Sequence, residues 1–111
     1  MGIVFKDNKL TKLCNDKTHL VRELGADRAR RVQRRLDNLR AAANLEVMRP
    51  LPGRCHELTS NRAGQLSLDL DHPHRLIFVP ANNPVPLMPD GGLDWAKVTA
   101  VEILGIEDTH E

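Results

Sequence analysis

The sequence contains no tyrosine, and its aromatic residues are only Phe5, Phe78 and Trp95. A platform of stacked rings for binding nucleobases is therefore weak. Cysteine is nearly as scarce. Cys14 and Cys55 form no CxxC pair, which argues against a disulfide framework or a zinc knuckle. No apolar run approaches the ~20 residues that a membrane span requires. The start, MGIVFKDNKL, lacks the apolar core of a secretory signal and the Ser/Thr of a myristoylation site. A cytoplasmic protein without membrane association is expected. With 111 residues, 41% hydrophobic and 28% charged, the chain suits one folded domain, 1–111.

The formal net charge is only +1, yet the charge is unevenly spread. Residues 1–62 carry 14 Lys/Arg against 7 Asp/Glu, and residues 63–111 carry 2 against 8. A basic half of this kind provides either a face for an anion such as RNA or a set of partners for the acidic half.

GIVF reads as a first strand, and DNKLTKLCNDKTHLVREL as one or two short helical turns. The main helix is ADRARRVQRRLDNLRAAANL. Ala29, Val32, Leu36, Leu39 and Ala43 recur at helical spacing, with Arg28, Arg31 and Arg35 along one border and Arg30 and Arg34 opposite. Pro50, Pro52 and Gly53 end helical structure. RCHEL suits a strand and TSNRAG a turn. QLSLDLD alternates, with Leu66, Leu68 and Leu70 on one face and Ser67, Asp69 and Asp71 on the other. RLIFVP suits a central strand. A proline-rich loop runs from Ala81 to Lys97, and VTAVEILGI forms a last strand with Gly105 as a bulge candidate. Helices followed by antiparallel strands give an α+β layout.

The stretches LPGRCHELTSNRAGQLSLDLDHPHRLIF and VEILGIEDTHE carry a joint pattern. Its elements are Leu51-Pro52-Gly53, Leu58, Asn61-Arg62-Ala63-Gly64-Gln65, Ser67-Leu68, Arg75-Leu76, Phe78 and Asp108-x-His110. This pattern resembles the HigB branch of the RelE/ParE toxin superfamily, over roughly residues 25–80 and 98–111. The resemblance implies a RelE-like fold, with N-terminal helices packed on a twisted antiparallel sheet. It also implies a ribosome-dependent mRNA endoribonuclease that inhibits translation. The implied partners are the ribosome and mRNA, a HigA-like helix-turn-helix antitoxin, and DNA only through that antitoxin. The chain departs from the family pattern at Thr109, where a tyrosine is usual, and at Asp69, where an arginine is frequent.

RNA cleavage by the 2′-hydroxyl needs a base, cations around the phosphorane, and an acid for the departing 5′-oxygen. It needs no cofactor, and no cluster with metal-ligand spacing occurs. Histidine titrates near neutrality, and arginine grips phosphate with a planar fork. His110 is the first acid/base candidate. Asp108 shares its strand face and is placed to orient it, and His56 is a second acid/base candidate. Arg75 is the principal phosphate ligand, with a salt bridge to Asp69 or Asp71 as its plain alternative. Arg62 is both a catalytic and an RNA-binding candidate; Arg54, His74, Arg31 and Arg35 are RNA-binding candidates. The tail and Arg75 are expected at the edge of one site across the sheet. Two other functions fit the same residues: a ParE-like toxin acting on a protein target, and a weakened toxin that serves mainly as an antitoxin-binding co-repressor.

Overall fold

A computed structural model describes residues 1–108. The chain opens with strand β1 (Gly2–Phe5) and continues into helices α1 (Asn8–Asn15), α2 (Lys17–Leu24) and α3 (Ala26–Ala41). Strands β2 (His56–Glu57), β3 (Leu66–Asp69), β4 (His74–Pro80) and β5 (Ala100–Asp108) follow. Single 3-10 turns at Leu45–Met48, Ser60–Arg62 and Trp95–Lys97 join them. No helix among the described residues is long and apolar enough to cross a membrane.

The region expected to form short helical turns contains two full helices. Each is started by an aspartate. Asp7 accepts a hydrogen bond from the Leu10 amide at 2.8 Å, and Asp16 accepts one from the His19 amide at 3.2 Å. Such caps satisfy amides that a helix start leaves unpaired. Gly25 then separates α2 from α3 at φ +83°, a conformation that costs glycine nothing.

The sheet runs β1-β5-β4-β3-β2. It is mixed, whereas the sequence implied a fully antiparallel one: β1 lies parallel to β5. Parallel neighbours need a long crossover, which the three helices and the β2–β4 meander supply here. The helices cover one face. Ala29, Val32, Leu36 and Leu39 of α3 pack in one core with Leu66, Leu68, Leu76, Phe78 and Ile103. Each fully buried side chain of this size contributes about 1.5–3 kcal/mol relative to exposure. Ala43, assigned to the helix stripe from its spacing, is exposed; α3 ends at Ala41 and Ala42 takes the buried place.

A bulge in β5 decides which residues reach the other face. Ile77 pairs with Gly105 but Phe78 pairs with Ile103, so Leu104 is an extra residue. Before it, Val101 and Ile103 face the helices. After it, Ile106 faces the helices with Leu76, while Glu107 shares the opposite face with Arg75. One inserted residue reverses the alternation for the rest of the strand.

The loop between β4 and β5 is pinned at several points. Leu87 bridges Leu93, and the Asn82 side chain bonds to Thr99 and Ala100. Trp95 is 4% exposed; its indole N–H donates to Glu57 at 3.0 Å, and Arg49 stacks 3.8 Å from the ring centre.

Candidate functional site

The face of the sheet turned away from the helices carries the polar site. Cross-strand register sets two rows on it. One row is Asp69 on β3, Arg75 on β4 and Glu107 on β5; the next is His56, Ser67, Ile77 and Gly105.

Asp69 is fixed by its backbone. Its amide donates to the Gly53 carbonyl at 2.7 Å, and its own carbonyl accepts from Arg35 Nε at 3.1 Å. Gly53 (φ +110°) and Arg54 (φ +51°) turn the chain sharply beside it. That turn carries the Arg54 guanidinium back to the Asp69 carboxylate, with Nε 2.9 Å from Oδ2. Arg75 approaches the other oxygen, Nε to Oδ1 at 3.6 Å. One carboxylate therefore lies between two guanidinium groups. Of the two partners named for Arg75 on sequence grounds, Asp69 is the one it meets.

Arg62 reaches the same face from the turn at Ser60–Arg62. Its Nε donates to Gln65 at 2.9 Å, and its two terminal nitrogens donate to the two Glu107 oxygens at 2.8 and 2.9 Å. Gln65 leads into β3 and Glu107 lies on β5, so this side chain crosses over β4. Ile77 of β4 points to this face and is fully buried. The Arg62 hydrogen bond holds the Glu107 carboxyl below its ordinary value, and the same bond raises the Arg62 guanidinium. Asp69 likewise raises Arg54, again first through the hydrogen bond. Arg54 and Arg62 are thereby held in their cationic form.

His56 stands in the second row. Its Nδ1 lies 2.7 Å from the Arg54 carbonyl oxygen. A carbonyl only accepts, so Nδ1 carries the hydrogen and the neutral ring keeps its lone pair on Nε2. A cavity of about 90 Å³ lies at the β3–β4 hairpin end of the sheet, lined by Arg54, Asp69, Leu70, His72, Pro73, His74 and Arg75.

The remaining candidates fall elsewhere. His74 and Asp108 are register partners and take the helix side, because they neighbour Arg75 and Glu107 along their strands. Asp108 acts electrostatically on Arg28 of α3, and Arg28 grips Asp71 with Nε 2.9 Å from Oδ1. His74 Nδ1 is buried, makes no hydrogen bond, and lies 4.0 Å from Asp71. Asp108 and Arg75 therefore share an end of the sheet but not a face, so Asp108 does not join Arg75 in the way expected from simple alternation. The bulge at Leu104 is the physical cause. Arg31 and Arg35 are also behind the sheet, on α3. Arg31 lies 3.4 Å from Asp27. Arg35 is 7% exposed, supports the Asp69 backbone, and has its charge disfavoured by burial. His110 lies outside the described residues. Among the described residues no three His, Cys, Asp or Glu side chains are grouped to hold a metal ion.

Glu107 was not among the candidates from sequence. Its signal is parity: once Gly105 marks a bulge, the count along β5 places Glu107, not Asp108, beside Arg75.

No family model matches the sequence, and no curated protein matches it. Solved structures do. The YoeB–YefM complex from Staphylococcus aureus aligns at a TM-score of 0.54 and 15% identity, covering 100% of this chain and 98% of that one. The fold is that of YoeB. The YoeB dimer from the same organism gives a TM-score of 0.53 and 18% identity, with the same coverage of both chains. At these identities the likeness to YoeB establishes architecture: three helices on a five-stranded mixed sheet, the RelE-like arrangement.

Proposed function

We propose that this protein is the toxin of a type II toxin–antitoxin system and cleaves RNA. The observation that carries this reading is the open sheet face, where Arg54, Arg62 and Arg75 converge beside a histidine oriented to accept a proton. The YoeB fold supports it, since YoeB is a toxin of the RelE/ParE superfamily. In the finer form the protein is HigB-like, acts on mRNA in the ribosome, and is neutralised by a HigA-like helix-turn-helix antitoxin. YoeB was solved with YefM, which supports an antitoxin partner.

The chemistry is metal-independent transesterification. His56 Nε2 takes the proton from the 2′-hydroxyl. The oxygen attacks the adjacent phosphorus, and Arg75 with Arg54 and Arg62 balances the charge gathering on the phosphorane. His110 of the tail gives a proton to the departing 5′-oxygen; Asp108, on the helix side of the sheet, takes no part in this step. The products are a 2′,3′-cyclic phosphate and a 5′-hydroxyl.

The test is induced expression of wild type, Arg75→Ala, His56→Ala and His110→Ala, with growth followed in each culture. Wild type is expected to arrest growth, and the three variants to be at least tenfold less toxic, since each removes a stabilising or proton-transfer group worth about 10²-fold or more. Arg75 is 25% exposed, so its loss opens no core cavity. Variants as toxic as wild type would remove the site; a harmless wild type would remove the function.

A further inference from the structure

Each arginine of the open face is already occupied by a carboxylate from the same face. Glu107 receives two parallel N–H···O bonds from Arg62, at 2.8 and 2.9 Å. This is the fork geometry in which arginine takes a phosphate. Asp69 is held by Arg54 at 2.9 Å and by Arg75 at 3.6 Å. Both carboxylates sit in the row at the β3–β4 hairpin end of the sheet, rigidly presented by register and, for Asp69, by the Gly53 and Arg35 backbone bonds.

These pairs are open to solvent. The side-chain exposures are 35% and 38% for Arg62 and Glu107, and 63% and 36% for Arg54 and Asp69. Exposed pairs of this kind are weakly held. A phosphate group is a stronger bidentate acceptor and can displace them. Displacement of Glu107 has a second effect. Arg62 lies across β4, over the row that holds His56, Ser67 and Ile77, and Ser67 Oγ beneath is buried without a hydrogen-bond partner. Freeing Arg62 uncovers that row. By contrast, the Arg28–Asp71 pair joins α3 to the β3–β4 hairpin on the far side of the sheet, where it has a structural task.

We propose that Asp69 and Glu107 are affinity-setting residues that occupy the phosphate positions of this face, and that RNA binds by exchanging its phosphates for their carboxylates. This rests on the RNA-cleaving reading above. It explains how a site with Asp69 in place of a familial arginine remains usable: the carboxylate is a resident stand-in that the ligand removes.

The experiment measures binding of a fluorescein-labelled, fully 2′-O-methylated RNA 12-mer to the full chain over a salt series. The proteins are wild type, Glu107→Gln, Asp69→Asn, Arg75→Ala and Arg62→Ala. Asp37→Asn on the outer side of α3 makes the same change in net charge at a distance. Glu107→Gln and Asp69→Asn are each expected to bind about fivefold tighter or more, and to steepen the dependence of log K on log salt by about 0.7 per additional phosphate contact. Arg75→Ala and Arg62→Ala are expected to weaken binding. If the carboxylate variants bind like wild type while the arginine variants weaken it, the exchange is refuted and the RNA site stands. If Asp37→Asn tightens binding as much as they do, net charge explains the effect and the exchange is again refuted. If the arginine variants bind like wild type, both the site and the exchange fall. The carboxylates belong to separate ion pairs, so a folding defect in one variant leaves the other as the test.

Discussion

Gly53→Ala is predicted to be one of the most damaging small substitutions in the molecule. Gly53 lies at φ +110°, where a side chain strains the backbone. A Cβ there would also sit 2.7 Å from Arg35 Nε, 3.0 Å from Arg35 Cδ and 3.1 Å from Leu68 Cδ2. Backbone strain of this kind costs about 1–3 kcal/mol, and overpacking a close contact costs about 1–3 kcal/mol more. A loss of about 3 kcal/mol follows, a large share of the roughly 5–15 kcal/mol that holds a domain together. For a chain of this length that lowers the melting temperature by about 12 °C. Urea unfolding of wild type and Gly53→Ala measures the difference. The closest part of the clash depends on Arg35, so the same substitution in an Arg35→Ala background should cost less, by about 1 kcal/mol or more, leaving mainly the strain. A loss below about 1 kcal/mol in the wild-type background, or strict additivity in the double variant, would refute the reasoning. The consequence reaches the site, because Gly53 and Arg35 hold the Asp69 backbone from its two sides.

Three further predictions concern other parts of the molecule. Glu107 and Asp71 have folded-state values held below 4.5 and 3.8 by hydrogen bonds from Arg62 and Arg28, so their stabilisation is complete above those values and is lost as pH falls through the lowered ones. Because both pairs are partly solvent-exposed, each contributes at most about 1 kcal/mol; urea midpoints should fall from pH 6 to pH 3, and a Glu107→Gln/Asp71→Asn variant with an unchanged slope would contradict this. Burial pushes the Cys14 thiol up to about 11 and the Cys55 thiol up to about 12, so both should react slowly with a disulfide reagent in the native protein and at once in urea; fast native reaction would contradict their burial. Trp95→Phe removes the indole donor to Glu57 and weakens the Arg49 stack, and should cost about 1–2 kcal/mol in urea unfolding, with no loss counting against both contacts.

The parts of the fold that the sequence disclosed are those governed by simple periods. The α3 stripe at Ala29, Val32, Leu36 and Leu39 follows the helical repeat, and Leu66, Leu68 and Leu70 follow strand alternation into the core. The parallel pairing of β1 with β5 left no local trace, because the partners are about a hundred residues apart and pairing direction is set by the crossover. The site was legible in its cations. Arg75, Arg62, Arg54 and His56 were all singled out, and all four share the open face. Its carboxylate Glu107 was not singled out. Simple alternation along β5 puts Asp108 beside Arg75, and the extra Leu104 puts Glu107 there instead. Gly105 marked the bulge, but its effect on parity appears only when the register with β4 is known. Arg35 looked like a helix-border cation. Its burial follows from the turn at Gly53, which leaves space for a guanidinium where another residue would carry a side chain.

The central claim is that the open face cleaves RNA without a metal. Its most direct test is to incubate the purified chain with mRNA and ribosomes in EDTA and determine the chemistry of any new RNA ends. New ends carrying a 2′,3′-cyclic phosphate and a 5′-hydroxyl are predicted, with cleavage at least about 100-fold slower for Arg75→Ala. Intact RNA, or fragments with 5′-phosphate and 3′-hydroxyl ends, would contradict the account.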